Sequence, residues 1–564
     1  MHRTHTCGEL RASNAGETVT LAGWVKSVRH HGEFFFIDLH DRYGTTQLIA
    51  NQEYDGLEDV PRESVIKVEG EVQEKPEPNE DLQTGDVEVN VETYDVLTEA
   101  DPLPIDDEAT LESKLEYRYL DLRHDTEKLE FRHEFSQAVR DFLDERDFLD
   151  VETPLLVRAT PEGARDYIVP SRVHEGSAYA LPQSPQLYKQ LLMLSGVDKY
   201  YQFAKCLRDE DLRSDRQPEF TQIDMEMSFV EEDDVLEVTE DMVKHAVKES
   251  MGKELDDFPR ITFDEAMRRY GSDKPDIRFG HELIDITEEA QGSAFNVINN
   301  ADYTGAVVAP EALSRSAIDD YERVAKDAGA NGLLYMKRTE SGVTGPLTSH
   351  VETDAFVNAL SLEEGETALI VAGREQQAQE SLGHLRLKIR DEYDLTNPDN
   401  HAFVWVVDFP LFEWDEDDGW TPAHHIFTMP DEDHIDSFAD DPANTLSQSY
   451  DLALNGVELG SGSIRVSDPE LQRELLEFIG VDREEAEEKF GFLLDAYQYG
   501  APIHGGIALG VERICALLTG KNDIREVIAF PKNQQARNPM DGSPTPIDKD
   551  VLDELGLRVY DDRQ

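Results

Sequence analysis

Residues 206–229 read CLRDEDLRSDRQPEFTQIDMEMSF, two strand-like runs on either side of a charged loop. The loop carries Arg208, Asp209, Glu210 and Asp211, then Arg213, Asp215, Arg216 and Gln217. A hairpin of this kind can present Arg208 and Arg216 to phosphates, because a guanidinium fork donates two hydrogen bonds at once and keeps its charge. Phe220, opening the second run, offers a ring to a base. Opposite charges at this spacing can equally form a salt-bridged surface hairpin, and the segment alone does not separate the two.

Two other stretches add to it. In GGIALGVERI (505–514) the glycines allow close packing of a strand and a helix start, with Arg513 in the first helical turn, where backbone N–H groups favour anions. In YDLALNGVELGSGSIRV (450–466), Glu458 and Arg465 can put a carboxylate and a guanidinium in one pocket. A carboxylate beside a triphosphate most naturally holds Mg²⁺, and Asp451 is a second candidate. A solvated strand edge is the alternative.

Outward from these segments, residues 1–105 show five strand candidates in VTLAGWV, EFFFIDLHD, TTQLIA, SVIKVEGEV and DVEVNVETYDVL. That number suits a small oligonucleotide-binding (OB) barrel. Period-two alternation puts Phe34, Phe36 and Asp38 on one face and Phe35, Ile37 and Leu39 on the other. One face must fill the barrel; the other can stack unpaired bases. Leu129, Phe135, Ala138, Val139 and Phe142 predict a helix, and FLDVETPLL a strand closed by Pro154. Gly- and Ala-rich segments at 279–402 interrupt the pattern like an inserted domain.

With 564 residues the chain has room for several cores, and 39% hydrophobic content fits a folded protein. Its 120 acidic residues against 53 basic give a formal charge of −67. The acids are interleaved with apolar patterns, which predicts a solvated acidic shell rather than disorder. Bulk attraction to nucleic acid is excluded, since phosphates require Lys and Arg. Cys7, Cys206 and Cys515 form no CxxC pair and read as reduced, packed thiols. The start, MHRTHTCGEL, lacks the apolar core of a signal peptide, and no run approaches a membrane span, so a cytoplasmic location with no membrane partner is expected.

Taken together, the segment through Pro154, the Arg208 hairpin and the Gly-rich junction with Arg513 resemble the three signature motifs of class II aminoacyl-tRNA synthetases. ATPEGARDY, QSPQLYKQLLM, RDEDLRSDRQPEFTQID and HHIFT are similar to strings of the bacterial-type aspartyl enzymes. The resemblance implies an α+β multidomain fold. Its parts are an OB-fold anticodon-binding domain at 1–105, a linker at 106–123, a catalytic domain on an antiparallel sheet with flanking helices at 124–278 and 403–541, an inserted α/β domain at 279–402, and a C-terminal extension at 542–564. It also implies a homodimer whose interface includes the segment through Pro154.

The implied reaction is ATP-dependent activation of L-aspartate, then transfer to tRNA(Asp); a relaxed form that also charges tRNA(Asn) is the alternative. In this resemblance Arg208 bridges the attacking carboxylate and the α-phosphate, and Arg513 holds the far phosphates. Mg²⁺ rests on Glu458 and Asp451. Phe220 stacks on adenine, with Asp209, Glu210, Gln217 and the stretch Gly510, Val511, Glu512 also at ATP. Lys189, Arg465 and His424 take the aspartate side chain, and Glu162 and Gln186 its ammonium. His425 is left undecided between phosphate contact and packing. Ser184 and Pro185 read as N-cap and first turn of the helix that aims Lys189. In the barrel, Phe36 is implied as a stacking platform and Arg29 and Gln47 as anticodon contacts. His31 lies at a position that separates strict from relaxed enzymes; histidine there leans to the relaxed type, while strict specificity is kept as the lead reading.

The chain departs from the family pattern where Glu512 stands in place of aspartate, and where KSVRHHGE (26–33) is less basic than expected. The acidic shell repels itself at low ionic strength, whereas molar salt shortens screening to about 3 Å. Thermal melting across a potassium chloride series should therefore show Tm rising with salt. Equal stability in dilute buffer would remove the proposed salt requirement.

Overall fold

The computed structural model describes residues 2–51, 56–106, 108–159, 163–417 and 419–559. It comprises two compact units, Met1–Glu127 with Ala529–Thr545, and Lys128–Ile528 with Pro546–Gln564.

In the first unit, β1 (Thr18–His31), β2 (Phe34–Asp41), β3 (Gly44–Asn51), β4 (Val65–Glu74) and β5 (Val87–Thr98) close into a barrel in the order β1-β2-β3-β5-β4. Alternation on β2 buries Phe35, Ile37 and Leu39 with Val19, Leu21, Leu48, Val68 and Val89, and leaves Phe34 and Phe36 outward, as the sequence pattern requires. Residues 106–123, expected as a linker, instead contain the helix Leu111–Glu116 and most of Arg118–His124. Thr110 caps the former by accepting from the Ser113 N–H. The 529–545 segment groups with this unit, through Arg118 Nε donating to the Ala529 carbonyl at 3.1 Å and Asn533 Nδ2 to Glu112 at 3.0 Å.

The second unit contributes, in chain order, β6 (Leu149–Asp150), a small hairpin of β7 (Ile168–Pro170) and β8 (Ala178–Ala180), then β9 (Lys199–Leu207), β10 (Glu219–Ser228) and β11 (Arg260–Thr262). A separate five-stranded sheet follows, built from β12 (Ile284–Asp285), β13 (Tyr303–Ala309), β14 (Leu334–Thr339), β15 (Gly342–Thr344) and β16 (Thr367–Gly373) in the order β12-β13-β16-β14-β15. Every pairing in it is antiparallel, and apolar clusters cover both of its faces. The chain returns through β17 (Phe403–Val407), the hairpin of β18 (Phe412–Asp415) with β19 (Gly419–Pro422), then β20 (Ser449–Leu454), β21 (Val457–Ile464) and β22 (His504–Gly510).

The principal sheet runs β11-β17-β20-β21-β22-β10-β9-β6, antiparallel except where β11 and β6 join its ends. Helices Glu127–Asp144, Glu232–Met251 and Val511–Leu518 cover one face, with Phe135, Val139, Phe142, Val243 and Ile514 at three-to-four spacing in its core. The strand expected to run to Pro154 stops at Asp150. Beyond it, the Thr153 N–H and hydroxyl turn to the Gln202 side-chain oxygen at 3.2 and 2.9 Å instead of extending the ladder. Cys7, Cys206 and Cys515 are buried free thiols. Among the described residues no helix is long and apolar enough to cross a membrane.

Candidate active site

The face of the principal sheet turned away from its helical core is polar. Alternation on β10 sends Ile223, Met225 and Met227 into the core, so Phe220, Gln222, Asp224 and Glu226 line the opposite face. On β21, unbroken alternation would separate Glu458 from Arg465, since an odd number of positions divides them. A β-bulge restores their common side: Leu452 pairs with Gly460 and Ala453 with Glu458. The extra residue, Leu459, goes into the core, and Glu458 joins Ser461, Ser463 and Arg465 on the polar face.

At the centre lie four buried charges. Lys189 is 2% exposed, and its Nζ sits 2.7 Å from Asp224 Oδ1 and 3.2 Å from Glu226 Oε2. Arg465 donates from Nε to Glu226 Oε1 at 2.9 Å and from Nη1 to the Ser463 hydroxyl at 2.7 Å. Burial raises the Glu226 carboxyl, yet Arg465 and Lys189 overcome this and hold it at about 2. Asp224 moves the other way: burial outweighs the Lys189 ammonium beside it and raises it. Gly506 faces Glu226 across the ladder, where a Cβ would stand 2.3 Å from Glu226 Oε2, so glycine there makes room for the pair.

Sequence reasoning found both cations and missed both carboxylates, because alternating acids on a strand read as a solvated edge. The helix carrying Lys189 spans Gln186–Leu194 with Pro185 at the cap position and no side-chain cap bond. Ser184 is therefore not the N-cap; its Oγ accepts a long 3.4 Å bond from the Gln186 N–H. Gln186, the first residue of that helix, is buried with its Nε2 unpaired.

The second group of residues suits phosphates. Arg208 opens the β9–β10 hairpin, its guanidinium carbon 5.2 Å from the Phe220 ring centroid and its Nε buried without a hydrogen-bond partner. Arg216 pairs with Glu210 at 3.2 Å, and Asp209 with Arg165 at 3.8 Å. Gln217 is buried. Arg513 donates to the Glu458 backbone carbonyl at 2.6 Å and lies 3.5 Å from Asp215. Asp451 faces the same region. Burial first, then the neighbouring Glu458 carboxylate, raise it well above the usual carboxylate range, and its Oδ1 has no hydrogen-bond partner. Two carboxylates forced together with an orphaned oxygen fit a divalent cation.

Several expected residues sit differently. His424 was grouped with Lys189 and Arg465, but its Nδ1 lies 3.2 Å from the Ser461 hydroxyl and 3.9 Å from Asp451. Its neighbour His425 instead feels Arg465 and Lys189, and with burial these hold its imidazole down at about 3. The His425 Nδ1 accepts from the Phe427 N–H at 3.3 Å, leaving a buried, unpartnered Nε2. The Glu512 carboxylate is not available to a nucleotide. It receives Arg132 at 2.7 Å and the Thr221 N–H at 3.0 Å, spanning three elements with the methylene that aspartate lacks. Gly510, Val511 and Arg513 form the strand–helix turn itself. Glu162 lies outside the described residues.

On the barrel, Arg29 pairs with Phe36 across β1–β2 and Gln47 with Asp38 across β2–β3, so all three expected contacts share one outer face. Arg29 donates to Asp38 at 2.9 Å and Gln47 to Glu88 at 2.9 Å. His31 is exposed, opposite Phe34.

An OB barrel together with an antiparallel sheet whose polar face carries a buried Lys–Asp–Glu–Arg cluster, an arginine with an orphaned Nε and an acidic pair suits an enzyme that activates an acid with a nucleotide for transfer to RNA. Residues 110–534 match the family model of tRNA synthetases class II (D, K and N), and residues 19–97 that of the OB-fold nucleic acid binding domain. The chain belongs to the class II tRNA synthetases of this group, ligases that form aminoacyl-tRNA with ATP as substrate. It is 44% identical, over 99% of its length and 98% of the relative's, to the aspartate–tRNA(Asp/Asn) ligase of Caldanaerobacter subterraneus. It is 45% identical, over 99% and 98%, to the aspartate–tRNA ligase of Bacillus licheniformis. Among solved structures, asparaginyl-tRNA synthetase from Pyrococcus horikoshii complexed with asparaginyl-adenylate shares the fold, with TM-score 0.61, 19% identity, and coverage of 93% of this chain and 97% of that one.

The depressed His425 has a consequence for stability. Folded, it stays neutral down to about 3, whereas the unfolded chain takes up the proton below the ordinary value of 6.5. Its contribution is thus present above pH 6.5 and lost as pH falls toward 3. Urea unfolding at fixed high salt should show a shallower acid loss across that window in His425→Gln than in the parent; parallel curves contradict the assignment.

Proposed function

We propose that the chain is an aspartate–tRNA ligase in which the polar face of the principal sheet activates L-aspartate with ATP and transfers it to the 3′ end of tRNA(Asp). The observation that carries this reading is the buried pair Lys189 and Arg465, two fixed cations that share Glu226 on the sheet that also carries Glu458 and Asp451. Asp224 and Glu226 offset their charge in the resting protein, which allows both to be buried.

In the first step an α-carboxylate oxygen of aspartate attacks the α-phosphorus of ATP. The new C–O–P linkage forms as the bond to pyrophosphate breaks. Both reactants are anions, so the site's task is charge cancellation and alignment, without an enzyme nucleophile. Arg208, with its unpaired Nε, bridges the two reacting groups, and Phe220 beneath it stacks on adenine. Arg513, held against the Glu458 carbonyl, takes the far phosphates. Mg²⁺, which Asp451 and Glu458 fit, supplies further charge neutralisation at the phosphates when bound. Lys189 and Arg465 receive the aspartate side chain. The buried Gln186 takes the ammonium together with Glu162, and the Nε2 of His425, which carries the ring proton because Nδ1 accepts from the Phe427 N–H, is a donor on the side of Lys189 and Arg465. In the second step the terminal 3′-hydroxyl attacks the activated carbonyl, and AMP leaves with the phosphate able to accept the proton.

An aspartate carboxylate adds attraction to Lys189 and Arg465 beyond their resting pairs with Asp224 and Glu226, whereas the neutral amide of asparagine does not, so asparagine is disfavoured. The outer face of Arg29, Phe36 and Gln47 contacts the anticodon, where Asp38 and Glu88 must give way to RNA. Cytoplasmic homodimers are the proposed working form; Leu149, Leu155 and Leu156, each about half exposed, offer an apolar surface for the contact. Relaxed charging of both tRNA(Asp) and tRNA(Asn) is the second reading, favoured by His31 and by relatives named for both substrates.

Removing Lys189 alone strands Asp224, and breaking a buried pair costs about 3–5 kcal/mol, so the test uses two variants. Lys189→Leu and Lys189→Leu/Asp224→Asn should each cut aspartate-dependent ATP–pyrophosphate exchange by on the order of 10³-fold or more. ATP binding should stay within about twofold, because the nucleotide contacts elsewhere remain. A near-parental exchange rate in the folded double variant refutes the assignment. Charging purified tRNA(Asp) and tRNA(Asn) side by side decides between strict and relaxed specificity; the strict reading expects product from the first alone.

A further inference from the structure

In the first unit, His40 near the end of β2, Glu63 just before β4 and His124 at the end of the helix Arg118–His124 converge, and donor atoms from all three lie within 4.8 Å of one another. His40 is 7% exposed and Glu63 2%, yet the His40 Nε2 and Glu63 Oε1 have no hydrogen-bond partner. Buried polar atoms are nearly always paired, so two orphans aimed at one point indicate a missing third party. The partly exposed His124 puts its Nε2 3.7 Å from Glu63 Oε1, too far for a hydrogen bond.

The surroundings hold these groups in place. Glu63 adopts a left-handed backbone with φ of 68°, unusual for a residue with a side chain, while its N–H donates to the Val25 carbonyl at 2.7 Å. Arg123 donates to the other Glu63 oxygen, Oε2, at 3.1 Å, so Oε1 is left turned to the histidines. The Arg123 guanidinium in turn lies 5.2 Å over the Trp24 ring, and that ring packs 5.9 Å from His40. The His40 and His124 rings stack at 5.8 Å.

We propose that His40, Glu63 and His124 form a binding site for a divalent transition metal, zinc by donor chemistry, that ties the Arg118–His124 helix to the barrel. Two imidazoles and one carboxylate are a zinc-type donor set with a fourth position for water. Bond lengths of about 2.0–2.1 Å require donor separations of roughly 3.4 Å, so the cluster needs to contract by about an ångström. His124, the exposed member, can supply that movement and marks the entry path. Arg123 acts as the outer partner that orients the carboxylate. Nothing in the ligase reaction uses this cluster.

The experiment is zinc retention by the full chain. Parent protein, His124→Ala, His40→Ala and Glu63→Gln are equilibrated with zinc, passed through gel filtration in excess magnesium, and assayed by atomic absorption. Magnesium suppresses weak binding by the 120 acidic residues. Parent should retain one equivalent more than His124→Ala, with affinity lower by at least about 100-fold in that variant, since loss of an outer partner alone costs 10–100-fold. Cobalt(II) added to the parent should give visible d–d bands that His124→Ala lacks, and zinc should raise the parent's Tm alone. His124→Ala removes a partly exposed side chain, so it keeps the test open if the two buried variants fail to fold. Equal zinc retention and equal cobalt spectra in parent and His124→Ala overturn the site, and then water or a shared proton bridges His40 and Glu63.

Discussion

Lys189, Asp224, Glu226 and Arg465 form a closed charge cluster on the sheet, and the chemistry of the polar face depends on it. Neither cation could be buried alone, because desolvation of an ion costs several kcal/mol that only close opposite charge and hydrogen bonds offset. The cluster sums to zero before substrate arrives. What it provides is direction: ammonium and guanidinium locked by strand and helix, with no reorganisation needed when an anion enters. The glycine at 506 and the serine at 463 are the spatial conditions for it, one leaving room and the other filling the guanidinium's remaining donor.

This arrangement also explains how an enzyme with a formal charge of −67 can handle anionic substrates. Charges on the shell are separated from the site by water and salt, and their field is screened within about a nanometre at moderate ionic strength. Those in the site are screened far less. The surplus acid faces solvent, while a few cations, Lys189 and Arg465 among them, are fixed in the interior. On the barrel the balance is finer, since Asp38 and Glu88 already occupy Arg29 and Gln47.

Glu512 shows how a small departure from a family pattern is absorbed. Its longer side chain reaches Arg132 on one helix and the Thr221 backbone on β10 together, so the strand–helix turn that carries Arg513 is braced from behind. The extra methylene thus becomes part of the scaffold.

From the residues alone came the elements and the motif positions: the barrel's alternating Phe35, Ile37 and Leu39, the hairpin that carries Arg208, and the glycine-rich entry to Arg513. Period-two and three-to-four patterns are local, and a chain carries them wherever it folds. Tertiary structure decided the rest. Glu226 and Arg465 are separated by 239 positions, and nothing local announces their pairing. The Leu459 bulge decides whether Glu458 shares a face with Arg465, because one inserted residue inverts every side chain beyond it. His424 and His425 are adjacent letters with different surroundings, His424 near Asp451 and His425 near Arg465 and Lys189. The convergence of His40, Glu63 and His124 likewise exists only once the helix Arg118–His124 has closed on the barrel.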